Sequence, residues 1–163
     1  MHQEQTENFK TMAFLAPADL TSVIRQYQLD AITDGDDTII PTAIRIALNE
    51  VSNIFTPNNM VKWMDGRPIY DIKTVLLASG TDRDDFILVH TKVIALWHLI
   101  LLCNTGLNYG EVKDRYDRSK ADLIDLADGT TNSATLPQIV TVPADTVVPF
   151  TAGCNRKFCH GNS

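Results

Sequence analysis

Tyr70-Asp71-Ile72-Lys73-Thr74-Val75-Leu76-Leu77-Ala78-Ser79-Gly80 runs through the polar hinge Thr81-Asp82-Arg83-Asp84-Asp85 into an almost uninterrupted apolar stretch, Phe86 to Cys103. A second helical pattern begins at Glu111 with Val112-Lys113-Asp114-Arg115-Tyr116 and closes at Gly129. Read together, these residues form a helical hairpin whose first arm, from about Asp84 to Cys103, is apolar around most of its circumference. A helix of that kind has to sit centrally or be covered by neighbouring subunits. Shape and assembly, rather than chemistry, are what this stretch encodes.

Upstream, Ala16-Pro17-Ala18-Asp19-Leu20 opens a first helix, since Pro17 suits the first helical position and Asp19 the positive end of the dipole. Leu20, Val23, Ile24 and Tyr27 then follow at i, i+3, i+4 and i+7, the spacing of one apolar face. Thr33 to Thr38 reads as a turn. The next helix starts near Pro41 and carries Ile40, Ile44, Ala47, Leu48, Val51, Ile54 and Phe55 as one stripe, with Arg45, Asn49, Glu50 and Asn53 elsewhere. It stops before Pro57, because a residue preceding proline disfavours helix. Residues 57–69 read as a loop with Trp63, Gly66 and Pro68. The last helix spans roughly 111–127, with Val112, Tyr116, Leu123, Ile124 and Ala127 as inward candidates and Gly129 as its left-handed cap.

From Thr130 the helical period is lost, and Pro137, Pro143 and Pro149 recur at regular intervals. Between them lie the β-branched pieces Ile139-Val140-Thr141-Val142 and Thr146-Val147-Val148, suited to edge strands or an extended arm. The expected organisation is a polar N-terminus (1–13), a helical domain (14–129) and an extended C-terminal arm (130–163). The expected fold class is all-α, a compact bundle of about four helices with long loops and possible short β pieces in the arm.

The chain has 163 residues, 44% of them apolar, a net charge of −6 and a pI near 5.0. That balance, with no block of basic residues, argues against tight binding to a nucleic-acid backbone. The polar, acidic start is unlike a secretory leader. The 86–103 run approaches the length of a membrane span, but His90, Lys92 and His98 interrupt it, and a charge at mid-span costs roughly 2.5–3.5 kcal/mol. No membrane partner is therefore expected. Three cysteines make no disulfide framework, and a reducing, cytoplasmic setting fits.

Motifs for chemistry are thin. Asp34, Asp36 and Asp37 suggest a calcium loop, yet position twelve counted from Asp34 is Arg45 where a bidentate Glu is needed, so a capping turn is the better reading. His90 and His98 lie eight apart and lack the i, i+4 spacing and adjacent Glu of a zinc protease. Cys154, Cys159 and His160 supply three possible zinc ligands; a fourth would have to come from elsewhere, such as His2 or a neighbouring subunit. A solvent-exposed tail end is the plainer account. Asp82, Asp84 and Asp85 are explained as the acidic first turn of a long helix. No catalytic, cofactor-binding or metal residue is assigned, and the protein reads as non-enzymatic. The positions expected to make contacts are Ile139, Val140, Val142, Val147, Val148, Phe150, Arg156 and Lys157.

Four segments, in order, resemble the small head-to-tail connector (head-completion, neck adaptor) proteins of Mu-like tailed phages. Phe14-Leu15-Ala16-Pro17-Ala18-Asp19-Leu20 is similar to the family's opening F-L-x-P-x-D-L, with Ala16 where Ser or Thr is expected. Tyr70-Asp71 through Gly80 and Asp82-Arg83-Asp84 resembles its central Y-D … TG-x-DR junction. Ala95-Leu96-Trp97-His98-Leu99 resembles its IALYHL segment. Val112 to Arg118, with Ala127-Asp128-Gly129 after it, is similar to its x-R-Y-x-R-A … A-x-G helix. The likeness covers residues 12–138. It implies a virion protein, made in the host cytoplasm, that forms a homo-oligomeric ring of about twelve copies below the portal protein. Such a ring extends the DNA channel, lets DNA pass without specific binding, and docks the downstream neck or tail protein. The alternative is a small helical binding or regulatory protein without ring assembly; a metal-dependent enzyme using His90, His98 and nearby carboxylates is a more distant one.

Overall fold

The computed structural model describes residues 14–56, 68–103 and 109–139. Of these, 71% are helical and none lies in a strand, so the fold is all-α. A 3-10 turn at Pro17–Ser22 leads to α1 (Gln26–Thr33), α2 (Ile39–Phe55), the short α3 (Ile72–Leu77), a second 3-10 turn at Gly80–Asp82, α4 (Asp85–Cys103) and α5 (Tyr109–Ala127). The core lies where α2 and α5 pack on α4.

α4 is central, as its near-continuous hydrophobicity requires. Ile87, Ile94, Ala95 and Leu99 are fully buried, each large aliphatic side chain contributing about 1.5–3 kcal/mol by leaving water. Thr91, also fully buried, satisfies its hydroxyl by donating to the Ile87 carbonyl at 2.7 Å. Among the described residues α4 is the one helix long and apolar enough to cross a membrane, yet half of that window is buried inside the protein. The burial is incomplete: Phe86, Val89, Leu101 and Leu102 remain exposed.

Asp84 starts α4 by accepting the Ile87 N–H at 3.0 Å, and Asp71 starts α3 by accepting the Thr74 N–H and hydroxyl at 3.2 and 2.7 Å. α2 presents Ile44, Ala47, Val51 and Phe55 to the core together with Ala43, close to the expected stripe, and ends at Phe55 ahead of Pro57.

Two expectations are corrected. The first helix does not run from Pro17 through Tyr27: the backbone is extended at Arg25 and helix restarts at Gln26, which leaves Tyr27 65% exposed instead of on the apolar face. Ala16 offers no side-chain cap, and the turn is held by Asp19, whose carboxylate accepts the Ala16 N–H at 2.8 Å. α5 begins at Tyr109, two residues early, and its inward face holds Val112, Tyr116, Leu123 and Ala127 as expected but not Ile124. Ser119, Leu123 and Leu126 are buried, with Val112, Tyr116 and Ala127 packed beside them, whereas Ile124 is 39% exposed. The 112, 116, 119, 123, 126 spacing alternates four and three, which keeps one seam on α4; Ile124 falls a third of a turn off it.

Residues 130–139 return to the body. Gln138 pairs with Tyr70 as an isolated antiparallel bridge, Ile139 donates its N–H to the Ile69 carbonyl at 2.7 Å, and Asp71 donates to the Pro137 carbonyl at 2.8 Å. Leu136 is buried, and the Tyr70 hydroxyl accepts the Ser133 N–H at 2.9 Å.

Candidate functional site

Polar side chains converge at two places. The larger centres on Glu50, on the flank of α2 where α4 and α5 meet it. Its Oε2 lies 2.7 Å from His98 Nε2 of α4, while its Oε1 accepts from the Tyr116 hydroxyl at 2.6 Å and pairs with Lys120 Nζ of α5 at 2.9 Å. Lys120 also donates to the Tyr116 oxygen at 3.2 Å and sits 5.5 Å from the ring centroid. Trp97 stacks on Tyr116 at 5.2 Å and a 22° tilt, and its ring centroid also lies 5.0 Å from that of Tyr109. One carboxylate thus ties three helices, and an aromatic stack seals the junction between α4 and α5.

The protonation states are pushed apart. Burial drives the Glu50 carboxyl upward, but the hydrogen bonds from Tyr116, His98 and Lys120, with the Lys120 charge, outweigh it and hold the group below its ordinary value. Burial and then the Glu50 carboxylate raise the Tyr116 phenol, and the bonds to Glu50 and Tyr116 raise the Lys120 ammonium. At neutral pH the carboxylate is ionised, the phenol neutral and the amine charged. Each of the three groups therefore keeps a single protonation state around neutral pH, which preserves the hydrogen bonds of the junction.

Beside this junction lies an open groove of about 460 Å³ lined by Ile46, Asn49, Glu50, Asn53 and Ile54 of α2 and Lys120 of α5.

The second convergence is at the hinge before α4. Arg83 Nη1 donates to Asp19 Oδ2 at 2.6 Å and to the Phe14 carbonyl at 3.0 Å, while its Nε donates to the Gly80 carbonyl at 2.9 Å. Burial pushes the Asp19 carboxyl up, and the Arg83 hydrogen bond, the Ala16 N–H and the nearby positive charges bring it below its ordinary value. Next to it, Asp84 Oδ2 accepts from Thr135 Oγ1 at 2.7 Å.

His90 and His98 are not brought together. His98 belongs to the Glu50 junction, whereas His90 packs its ring on Phe86 at 4.3 Å with Nε2 3.9 Å from Asp122 Oδ2 and Nδ1 buried without a partner among the described residues. The Asp36 carboxylate is taken up by the Thr38 N–H and hydroxyl, as a turn cap would be. Among the described residues no group of three or more His, Cys, Asp or Glu side chains is placed to hold a metal ion. Of the expected contact positions, Ile139 is 49% exposed beside the Tyr70 bridge. Val140, Val142, Val147, Val148, Phe150, Arg156 and Lys157 lie outside the described residues, as do Cys154, Cys159 and His160.

Glu50, Lys120 and the pairing of Asp19 with Arg83 were not singled out by sequence patterning. Their partners lie tens of residues away, and no local spacing links Glu50 to His98 or Tyr116. No family model, characterised protein or solved structure matches the chain.

Proposed function

We propose that the protein is a non-enzymatic structural component of a tailed-phage virion, a head-to-tail connector that forms a ring below the portal, extends the DNA channel and docks the next neck or tail protein. One observation carries this reading: the four segments that resemble the connector family are joined in pairs by the contacts that set the bundle's shape. Asp19 and the Phe14 carbonyl of the opening segment are both clamped by Arg83 of the central junction. Trp97 and His98 of the third segment meet Tyr116 of the fourth, directly and through Glu50. Residues used this way preserve a subunit shape, which is what a ring of repeated copies depends on.

Two further features fit. α4 leaves Phe86, Val89, Leu101 and Leu102 at the surface, apolar area that neighbours in a ring would cover. The net charge of −6 suits a channel wall along which DNA must slide. The test is native mass spectrometry of the purified chain with and without a portal ring, together with electron microscopy of particles. The expected outcome is a ring stacked on the portal and the chain present in virions. A chain that stays monomeric in the presence of portal and is missing from particles would overturn the reading and leave a ringless binding protein.

A further inference from the structure

The groove beside Glu50 runs about 12 Å along α2, from Ile46 to Ile54. Its α2 wall is one helical stripe, Ile46, Asn49, Glu50, Asn53 and Ile54, spaced i, i+3, i+4, i+7 and i+8. Asn49 and Asn53 are exposed and their carboxamides have no partner among the described residues. Four residues of helix advance about 6 Å, and two residues of extended chain about 6.6 Å. The two carboxamides therefore keep step with every second residue of a strand laid along α2. Each offers one donor group and one acceptor, the combination a peptide N–H and C=O require. Ile46 and Ile54 stand about 12 Å apart, close to the four-residue repeat of the same strand, and provide apolar contact at each end. Lys120, 41% exposed and bonded to Glu50 and Tyr116, has one ammonium hydrogen left for a carbonyl on the opposite wall.

The chain itself carries a matching segment. Val140 to Phe150 reads Val-Thr-Val-Pro-Ala-Asp-Thr-Val-Val-Pro-Phe, β-branched pieces that favour an extended backbone, with prolines that keep it from joining a sheet interior. Ile139 bonds to Ile69, and the residues that follow it, 140–163, could if fully extended span on the order of 80 Å. That is more than the breadth of one body of this size. Ring contacts are head-to-tail, so each copy must present two different, complementary patches. We infer that residues 140–150 of one copy lie extended in the α2–α5 groove of the next, read by Asn49, Asn53 and Lys120. This rests on the ring reading above and supplies the pair of patches it needs. Because the Phe55 and Tyr70 rings touch at 6.3 Å, a copy's own groove is also within reach of its tail, and the experiment separates the two.

The test uses the full chain with a photoreactive amino acid in place of Val147, assembled from an equal mixture of light and heavy isotopic copies. The expected crosslinks join Val147 to residues 46–54 or Lys120 of the other isotopic copy. The Asn49→Ala/Asn53→Ala double variant, altered only at exposed helix positions, should lower their yield about tenfold, since the carboxamide hydrogen bonds to the strand are lost at partly solvated sites. Crosslinks confined to one copy, mapped elsewhere, or indifferent to the double variant overturn the docking. Native mass spectrometry of the same samples separates the two claims. Rings without the groove crosslink reject the docking alone, and groove crosslinks in an assembly that never closes reject the ring alone.

Discussion

Replacing Glu50 by alanine tests whether one carboxylate holds three helices together. Glu50 and His98 are each 18% exposed, and the Tyr116 bond is 2.6 Å, so two of the lost hydrogen bonds are partly buried and charge-assisted. At the lower end of the range for such bonds, about 1.5 kcal/mol each, they sum to about 3 kcal/mol. The Lys120 pair is discounted to under about 0.5 kcal/mol, because that side chain is 41% exposed and screened by solvent. Urea unfolding followed by circular dichroism at 222 nm should therefore register a loss of about 3 kcal/mol for Glu50→Ala. Glu50→Gln keeps an acceptor for Tyr116 and a hydrogen-bonding group toward His98, and should lose about half as much. The carboxyl is held below its ordinary value in the folded state, so its contribution is present above pH 4.5 and is lost as pH falls through the depressed folded value. The difference between wild type and Glu50→Gln should accordingly shrink below pH 4.5. A Glu50→Ala protein within 1 kcal/mol of wild type, or a gap to Glu50→Gln that ignores acid, would refute the description of Glu50 as the tie.

Arg83→Lys should destabilise by about 2 kcal/mol in the same assay, because an ammonium cannot reach Asp19, the Phe14 carbonyl and the Gly80 carbonyl together; in a double-mutant cycle with Asp19→Asn the two losses should be clearly non-additive. Burial lowers the His90 pKa against the opposing pull of Asp122, so the folded state favours neutral imidazole and stability is lost as pH falls from 6.5 through the folded value. His90→Leu removes both that slope and the unpartnered Nδ1, and its urea midpoint should exceed that of wild type at pH 5.5. Gly80 and Gly110 should respond with opposite signs to alanine. A Cβ meets nothing within 4 Å at either, but Gly80 sits at φ +62, where alanine costs about 1 kcal/mol, whereas Gly110→Ala in α5 should gain about 0.5–1 kcal/mol.

Much of the helical framework was legible because its signals are local. The α2 stripe, the acidic start of α4 at Asp84 and the centrality of α4 each follow from spacings within a few turns of chain. The break at Arg25 was not, since Leu20, Val23 and Ile24 keep helical spacing right up to it and only Tyr27, beyond it, is misplaced. The inward face of α5 was legible only in part: Val112, Tyr116, Leu123 and Ala127 face the core as read, but Ser119 is buried and Ile124 exposed, because a polar residue on the seam hides the period that packing against α4 selects. The Glu50 junction was illegible for a different reason. It is assembled from α2, α4 and α5, and each residue alone reads as an ordinary surface charge or aromatic. Residues 130–139 fall between these cases: their lack of helical period is plain in the sequence, but their return to Tyr70 and Asp84 depends on long-range bonds.

Arg83 and Asp84 are consecutive, yet one grips Phe14 and the other Thr135. The first and last portions of the described body are therefore stitched to neighbouring residues, and the chain makes a nearly closed circuit around a single knot. Two consequences follow for handling the molecule. A short linker joining residues 14 and 135, with a new opening cut elsewhere in the circuit, would rearrange the order of the sequence while leaving the helical body's contacts intact. A substitution at Arg83 loosens the first portion and one at Asp84 the last, so the two can be released separately.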